Sequence, residues 1–128
     1  MPKFLLMSLL LLALAACGPE EPDIAYDDLP PGDPVRGAAL YNQSAGELPS
    51  CLSCHATNAN RGAGPGLAGI ARTAERRDDD HSPGEYIYLS IVQPSRLIVD
   101  GYSNSMPSYA DAYSAQELAD LVAFLLEL

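Results

Sequence analysis

Cys51-Leu52-Ser53-Cys54-His55 is the stretch on which the fold turns. It reads C-x-x-C-H, the spacing of a c-type haem attachment site. Two thiols three positions apart can add to the two vinyl groups of one porphyrin, and a histidine directly after them lies under the ring, where it can ligate the iron. The same residues allow three other readings. A thioredoxin-like thiol pair needs a helix N-terminus after a strand, and no alternating strand and helix pattern surrounds this motif. A structural zinc site needs four ligands, and outside the first 17 residues the chain offers only these two cysteines, His55 and His81. A plain disulfide would leave His55 without a role.

A haem iron held by one histidine needs an account of its other face. Of three methionines, Met1 and Met7 fall in the N-terminal apolar run, and Met106 sits far along the chain in Asn104-Ser105-Met106-Pro107. A thioether there would give a His/Met iron, whose raised potential suits electron transfer. The alternative is a methionine that only fills a gap in the core. His81 competes for the same position, but it follows Asp78-Asp79-Asp80, an acidic run expected at the surface.

Upstream, Lys3 precedes the thirteen-residue run Phe4–Ala16. That length suits the apolar core of a signal peptide and falls short of the roughly 20 residues a membrane-spanning helix needs. Leu14-Ala15-Ala16-Cys17 resembles the lipobox of bacterial lipoproteins, in which cleavage leaves the cysteine as a lipidated N-terminus. Residues 1–16 are therefore expected to be a signal peptide and Cys17 a lipid attachment site. The protein would be exported to the periplasmic or cell-surface side and held at a membrane by acyl chains. Lipidation of Cys17 leaves Cys51 and Cys54 with no cysteine elsewhere to pair with, so the pair must act locally.

Lys3 is also the only lysine. Without the leader, six arginines face seventeen acidic residues, a net charge of −11. Such a chain will not bind nucleic acid through phosphates, and it would be repelled by anionic lipid headgroups, which a lipid tether would offset. Residues 17–32, with four prolines and many acids, read as a linker too poor in apolar residues to fold. If extended by its prolines, that linker would reach roughly 50 Å.

The folded unit is expected over 33–128, all-helical, with three main helices and long loops. Asp33-Pro34 is a capping acid followed by proline at the first helical position. That helix carries Val35, Ala38, Ala39 and Tyr41. Ser82-Pro83-Gly84-Glu85 announces a second helix, with Tyr86, Leu89 and Val92, which must stop before Pro94. Ser114-Ala115-Gln116-Glu117 opens the last, whose Leu118, Leu121, Val122 and Leu125 share one face. Gly62–Gly66 and Pro94–Tyr109 are long for so small a domain and contain apolar residues. A large flat hydrophobic ligand at the centre would give both loops something to pack on.

From Asp33 to its end the chain resembles a class I cytochrome c. The resemblance rests on Gly37-x-x-x-Tyr41, the haem motif, Gly64-Pro65-Gly66-Leu67, the Tyr86–Ile91 helix, Gly101 through Met106-Pro107, and the C-terminal helix. It implies one covalent haem c wrapped by helices and loops. It implies that Gly37 lets the first and last helices cross closely, with Tyr41 packed on the last. It further implies that the Pro65 carbonyl accepts a hydrogen bond from His55 Nδ1–H and that Met106 is the distal ligand. The expected function is a single-electron carrier and not an enzyme, since a substrate would have to displace Met106. A fixed electron-relay subunit of a larger oxidoreductase is the alternative, and a haem-based sensor with exchangeable Met106 is a third. Partners would be redox proteins meeting the haem edge through basic or apolar surfaces, since the lysines that many members dock with are missing here. Arg61 and Arg72, flanking the haem-side loop, are candidates for pairing with the haem propionates.

Overall fold

The computed structural model describes residues 22–128. The expected signal peptide and Cys17 lie outside them. Four α-helices appear: α1 (Pro34–Tyr41), α2 (Ile70–Arg77), α3 (Pro83–Val92) and α4 (Ala115–Leu126), with short 3-10 turns at Tyr26–Asp28, Cys51–Ser53 and Pro94–Arg96. Among the described residues no strand forms beyond one isolated bridge between Ala45 and Leu48.

The three expected helices start where their caps are. Asp33 accepts from the backbone N–H groups of Val35 and Arg36, with Pro34 at the first position of α1. Ser82 Oγ accepts from Glu85 N at 3.2 Å to open α3. At Ser114 both halves of the capping box form, with Ser114 N donating to Glu117 Oε2 at 2.8 Å. α2 is an addition to the expected three. Its N-cap, Gly69, offers no side-chain acceptor, and its buried residues are only Ile70 and Ala74. What holds it is one apolar edge packed on α3, with Arg76 and Arg77 complementing the dipole at its C-terminal end.

α1 and α4 form the largest helix contact. A Cβ on Gly37 would come within 2.6 Å of the Asp120 carbonyl carbon and 2.8 Å of Phe124 Cβ, so only glycine permits this crossing. Tyr41, fully buried, lays its ring against Phe124 at 5.3 Å and 60°. Asp120, 2 % exposed, sits at the same crossing and accepts hydrogen bonds from Asp33 N, Arg36 and Gln116.

The expected linker over 17–32 is shorter than its composition suggests. Tyr26 packs on Tyr88 of α3 with ring centroids 6.0 Å apart, and the Tyr88 hydroxyl donates to the Ile24 carbonyl. Leu29 reaches the core, and Gln116 Nε2 donates to the Pro31 carbonyl at 3.0 Å. Two apolar side chains three residues apart, Tyr26 and Leu29, are enough to seat a proline-stiffened segment in the groove beside α3 and α4. Ile24 through Pro31 thus packs on the helices that follow it.

α3 is buried nearly all round and is the central helix. Tyr88 faces the N-terminal segment, while Tyr86, Ile87, Ser90 and Ile91 line a cavity. No helix of the described residues is long and apolar enough to cross a membrane.

Candidate haem-binding cavity

The cavity and the solvent space at its mouth together span about 1260 Å³. Its walls are the α3 face, Tyr41 of α1, Ile70 of α2, Leu125 of α4, and the two long loops that the sequence left without a partner. Gly64 and Pro65 come from the first loop, and Leu97, Tyr102 and Met106 from the second. The lining is mostly apolar. A small helical domain whose loops wrap a hollow instead of one another is built around something flat and hydrophobic.

Cys51, Cys54, His55, Pro65 and Met106 all line this one cavity. Cys51 through Ser53 make a single 3-10 turn, with His55 N and Cys54 N both donating to the Cys51 carbonyl, at 2.9 and 3.2 Å. The turn places two free thiols and the imidazole on one wall. Burial pushes the Cys51 thiol up, with the neighbouring Cys54 adding to the shift. A thiol-exchange catalyst needs the opposite shift, and the zinc alternative lacks ligands. Among the described residues no three His, Cys, Asp or Glu side chains gather to hold a metal ion.

The imidazole of His55 is held by its surroundings. Its Nδ1 lies 2.9 Å from the Pro65 carbonyl oxygen. A carbonyl can only accept, so Nδ1 carries the proton and the Nε2 lone pair is left free for a ligand bond. Gly64 makes this approach possible, since a Cβ there would fall 2.6 Å from Nδ1. The Tyr41 hydroxyl donates to the His55 carbonyl at 2.6 Å, and the Tyr109 hydroxyl donates to the Pro49 carbonyl at 2.6 Å, so the segment carrying the motif is pinned at both ends.

Met106 is partly buried against the core. Just beyond it, Ser108 Oγ donates to the Val92 carbonyl at 2.7 Å and Tyr109 N to the Ile91 carbonyl at 3.1 Å, fixing that end of the loop to α3. His81 is elsewhere. Its Nδ1 meets Asp78 Oδ2 at 2.7 Å in the turn between α2 and α3, partly buried rather than exposed, and it does not line the cavity. This contact also holds the Asp78 carboxyl below its ordinary range.

The arginines differ from expectation. Neither Arg61 nor Arg72 lines the cavity; Arg77, at the end of α2, does. Its Nη1 lies 3.5 Å from the hydroxyl of Tyr86, another lining residue. Nothing local in the sequence marks Arg77, because its role depends on an unforeseen helix.

These residues fit a haem c: two thiols and a histidine on one wall, a thioether from a distant loop, one cation with a phenol, and apolar surface between. No curated protein matches the chain. The sequence profile of the family described as Cytochrome C oxidase, cbb3-type, subunit III matches residues 32–125, well over half of the chain. The chain belongs to that family, as a c-type cytochrome domain that carries one covalently bound haem c and transfers electrons.

Proposed function

We propose that the protein is an exported, membrane-tethered electron carrier with His55/Met106 axial ligation, and that it is not an enzyme. The observation that carries this is the convergence of Cys51, Cys54, His55 and Met106 on one apolar cavity, with His55 Nδ1–H already committed to Pro65. Haem c, when bound, supplies the one-electron ferric/ferrous couple. Cys51 and Cys54 would hold the haem through two thioethers, each thiol adding across a vinyl group so that nothing leaves. His55 offers Nε2 and Met106 its sulfur. Arg77 and Tyr86 provide the cation and donor for a propionate, in place of Arg61 and Arg72. The remaining walls are mostly apolar. With His55 and Met106 both serving as ligands the iron would offer no open site to a substrate, which argues for electron transfer alone.

Tethering rests on the lipobox at Leu14–Cys17 and on the charge of −11, which needs an anchor near anionic lipid. A fixed relay subunit is the second reading. It is favoured by the family's description as an oxidase subunit and by the packing of Ile24 through Pro31 on the domain. Only Gly18 through Asp23 then separate Cys17 from the folded body, a span of about 20 Å when extended.

The test is a visible spectrum of the full chain matured with its haem-attachment machinery. Sharp reduced α and β bands, and an oxidised far-red sulfur-to-iron band abolished in Met106→Ala, are expected. A spectrum without covalent haem would overturn the proposal. Mass spectrometry of the native N-terminus reports the lipid on Cys17. A stoichiometric partner retained in mild detergent would favour the subunit reading over the free carrier.

A further inference from the structure

We infer that Arg61 and Tyr102 form a clasp that holds the Met106 loop shut, making Arg61 a positioning residue for the distal ligand; this rests on the reading of Met106 as that ligand. Arg61 belongs to the loop that follows His55. That loop is shaped by its own backbone bonds, Gly64 N to the Cys54 carbonyl at 2.9 Å and Gly62 N to the Gly64 carbonyl at 3.0 Å. Tyr102 belongs to the other loop, four residues before Met106, after a turn closed by Tyr102 N donating to the Val99 carbonyl at 3.0 Å. Its ring lines the cavity.

One arginine engages this tyrosine in two ways. Arg61 Nε donates to the Tyr102 hydroxyl at 3.0 Å, and the guanidinium carbon lies 5.0 Å from the ring centroid, within cation–π range. The contact joins the histidine-bearing loop to the methionine-bearing loop.

The rest of the Met106 loop is tied unevenly. Beyond Met106, Ser108 and Tyr109 fix it to α3 and to Pro49. Before it, Ser103, Asn104 and Ser105 are exposed and make only the local bond from Ser105 N to the Ser103 carbonyl. Among the described residues, no other hydrogen bond joins Val99–Pro107 to a distant part of the chain. The upstream hinge of the loop therefore closes through one exposed arginine. Arg61 does not line the cavity, whereas Arg77 does.

An outside ligand can reach the iron only when Met106 lets go, so its apparent affinity is scaled by the fraction of molecules with the loop open. A surface cation–π contact together with one hydrogen bond is worth about ten-fold in that fraction. The test is an imidazole titration of the full-length ferric haem protein, followed by loss of the far-red band. Arg61→Ala should lower the apparent imidazole Kd about ten-fold. Tyr102→Phe, which keeps the ring and loses the hydroxyl, and Arg61→Lys, which keeps the charge and loses the guanidinium fork, should each fall between. Arg61→Ala with Tyr102→Phe should match Arg61→Ala alone, because both remove one interaction. An imidazole affinity in Arg61→Ala within about two-fold of the parent, with the parent's far-red band present, would overturn the clasp while leaving Met106 as ligand; a two-fold effect is below what either contact supplies alone. A parent that lacks the band, with a spectrum unchanged in Met106→Ala, would overturn the ligand reading and the clasp with it.

Discussion

Replacing Asp120 by asparagine tests the α1–α4 crossing that frames the cavity. The carboxylate is buried at 2 % exposure and receives four donors: Asp33 N at 2.7 Å, Arg36 Nε at 2.8 Å, Gln116 Nε2 at 2.9 Å and Arg36 Nη2 at 3.1 Å. The Arg36 bonds, foremost among these, pull its pKa from 3.8 down to about 2. At about 1.4 kcal/mol per unit, the shift has a ceiling of about 2.5 kcal/mol. Arg36 is 57 % exposed, so solvent screening brings the expected contribution to about 1–2 kcal/mol. The sign follows from the lowered folded value. The contribution is complete above the unfolded pKa near 4 and is lost as pH falls through the folded value near 2, with roughly half remaining at pH 3. Denaturant unfolding of the haem-loaded parent and Asp120→Asn should show a gap of about 1–2 kcal/mol at pH 7 that halves by pH 3, while titration of other carboxylates cancels in the difference. A gap that stays constant or widens toward pH 3 would refute the reasoning, because the carboxylate would then be acting through its shape and not its charge.

The His55 imidazole and the N-terminal segment each rest on a close contact. In Gly64→Ala the new Cβ, 2.6 Å from His55 Nδ1, must turn the imidazole away from Pro65; covalent haem yield on maturation should fall sharply, and a yield and spectrum equal to the parent's would contradict the account of His55. Tyr26→Ala removes the ring that seats the N-terminal segment on Tyr88. It should lower stability by about 1–2 kcal/mol and speed proteolysis within residues 24–32, leaving the far-red band intact.

The parts of this protein that could be read in advance are those whose signals are local. Asp33-Pro34, Ser82-Pro83 and Ser114 through Glu117 carry their caps within four residues, and α1, α3 and α4 begin there. The haem motif is five consecutive residues. α2 has no such signal: a glycine N-cap, eight residues and two buried side chains leave its stability to tertiary packing. The N-terminal segment misled for a related reason. Its average composition is that of a linker, but folding is decided by whether Tyr26 and Leu29 find a groove, and that groove exists only once α3 and α4 are side by side. α3 shows a third limit. It is apolar all round, so periodicity cannot say that Tyr86, Ile87, Ser90 and Ile91 face the cavity while Tyr88 faces the segment behind. Arg77 inherits two of these limits, since its position depends on α2 and its partner Tyr86 on the orientation of α3.

The pinning of the haem motif depends on phenols staying protonated. Tyr41 and Tyr109 each donate to a backbone carbonyl, those of His55 and Pro49, and a carbonyl cannot return the proton. A phenolate at either position would face an oxygen with no hydrogen between them. Burial guards against this: it raises the pKa of Tyr41 well above the ordinary value and that of Tyr109 in the same direction. Tyr113, stacked on Tyr109 at 5.8 Å, is pushed up to about 12 by the same burial. The donors that hold the Cys51–His55 turn therefore stay protonated up to a higher pH than an ordinary phenol would. Neutral hydrogen bonds of this kind hold the histidine-bearing segment in place without a charge that titration could remove. The other loop is tied less closely: before Met106, the exposed Ser103, Asn104 and Ser105 make only one local backbone bond.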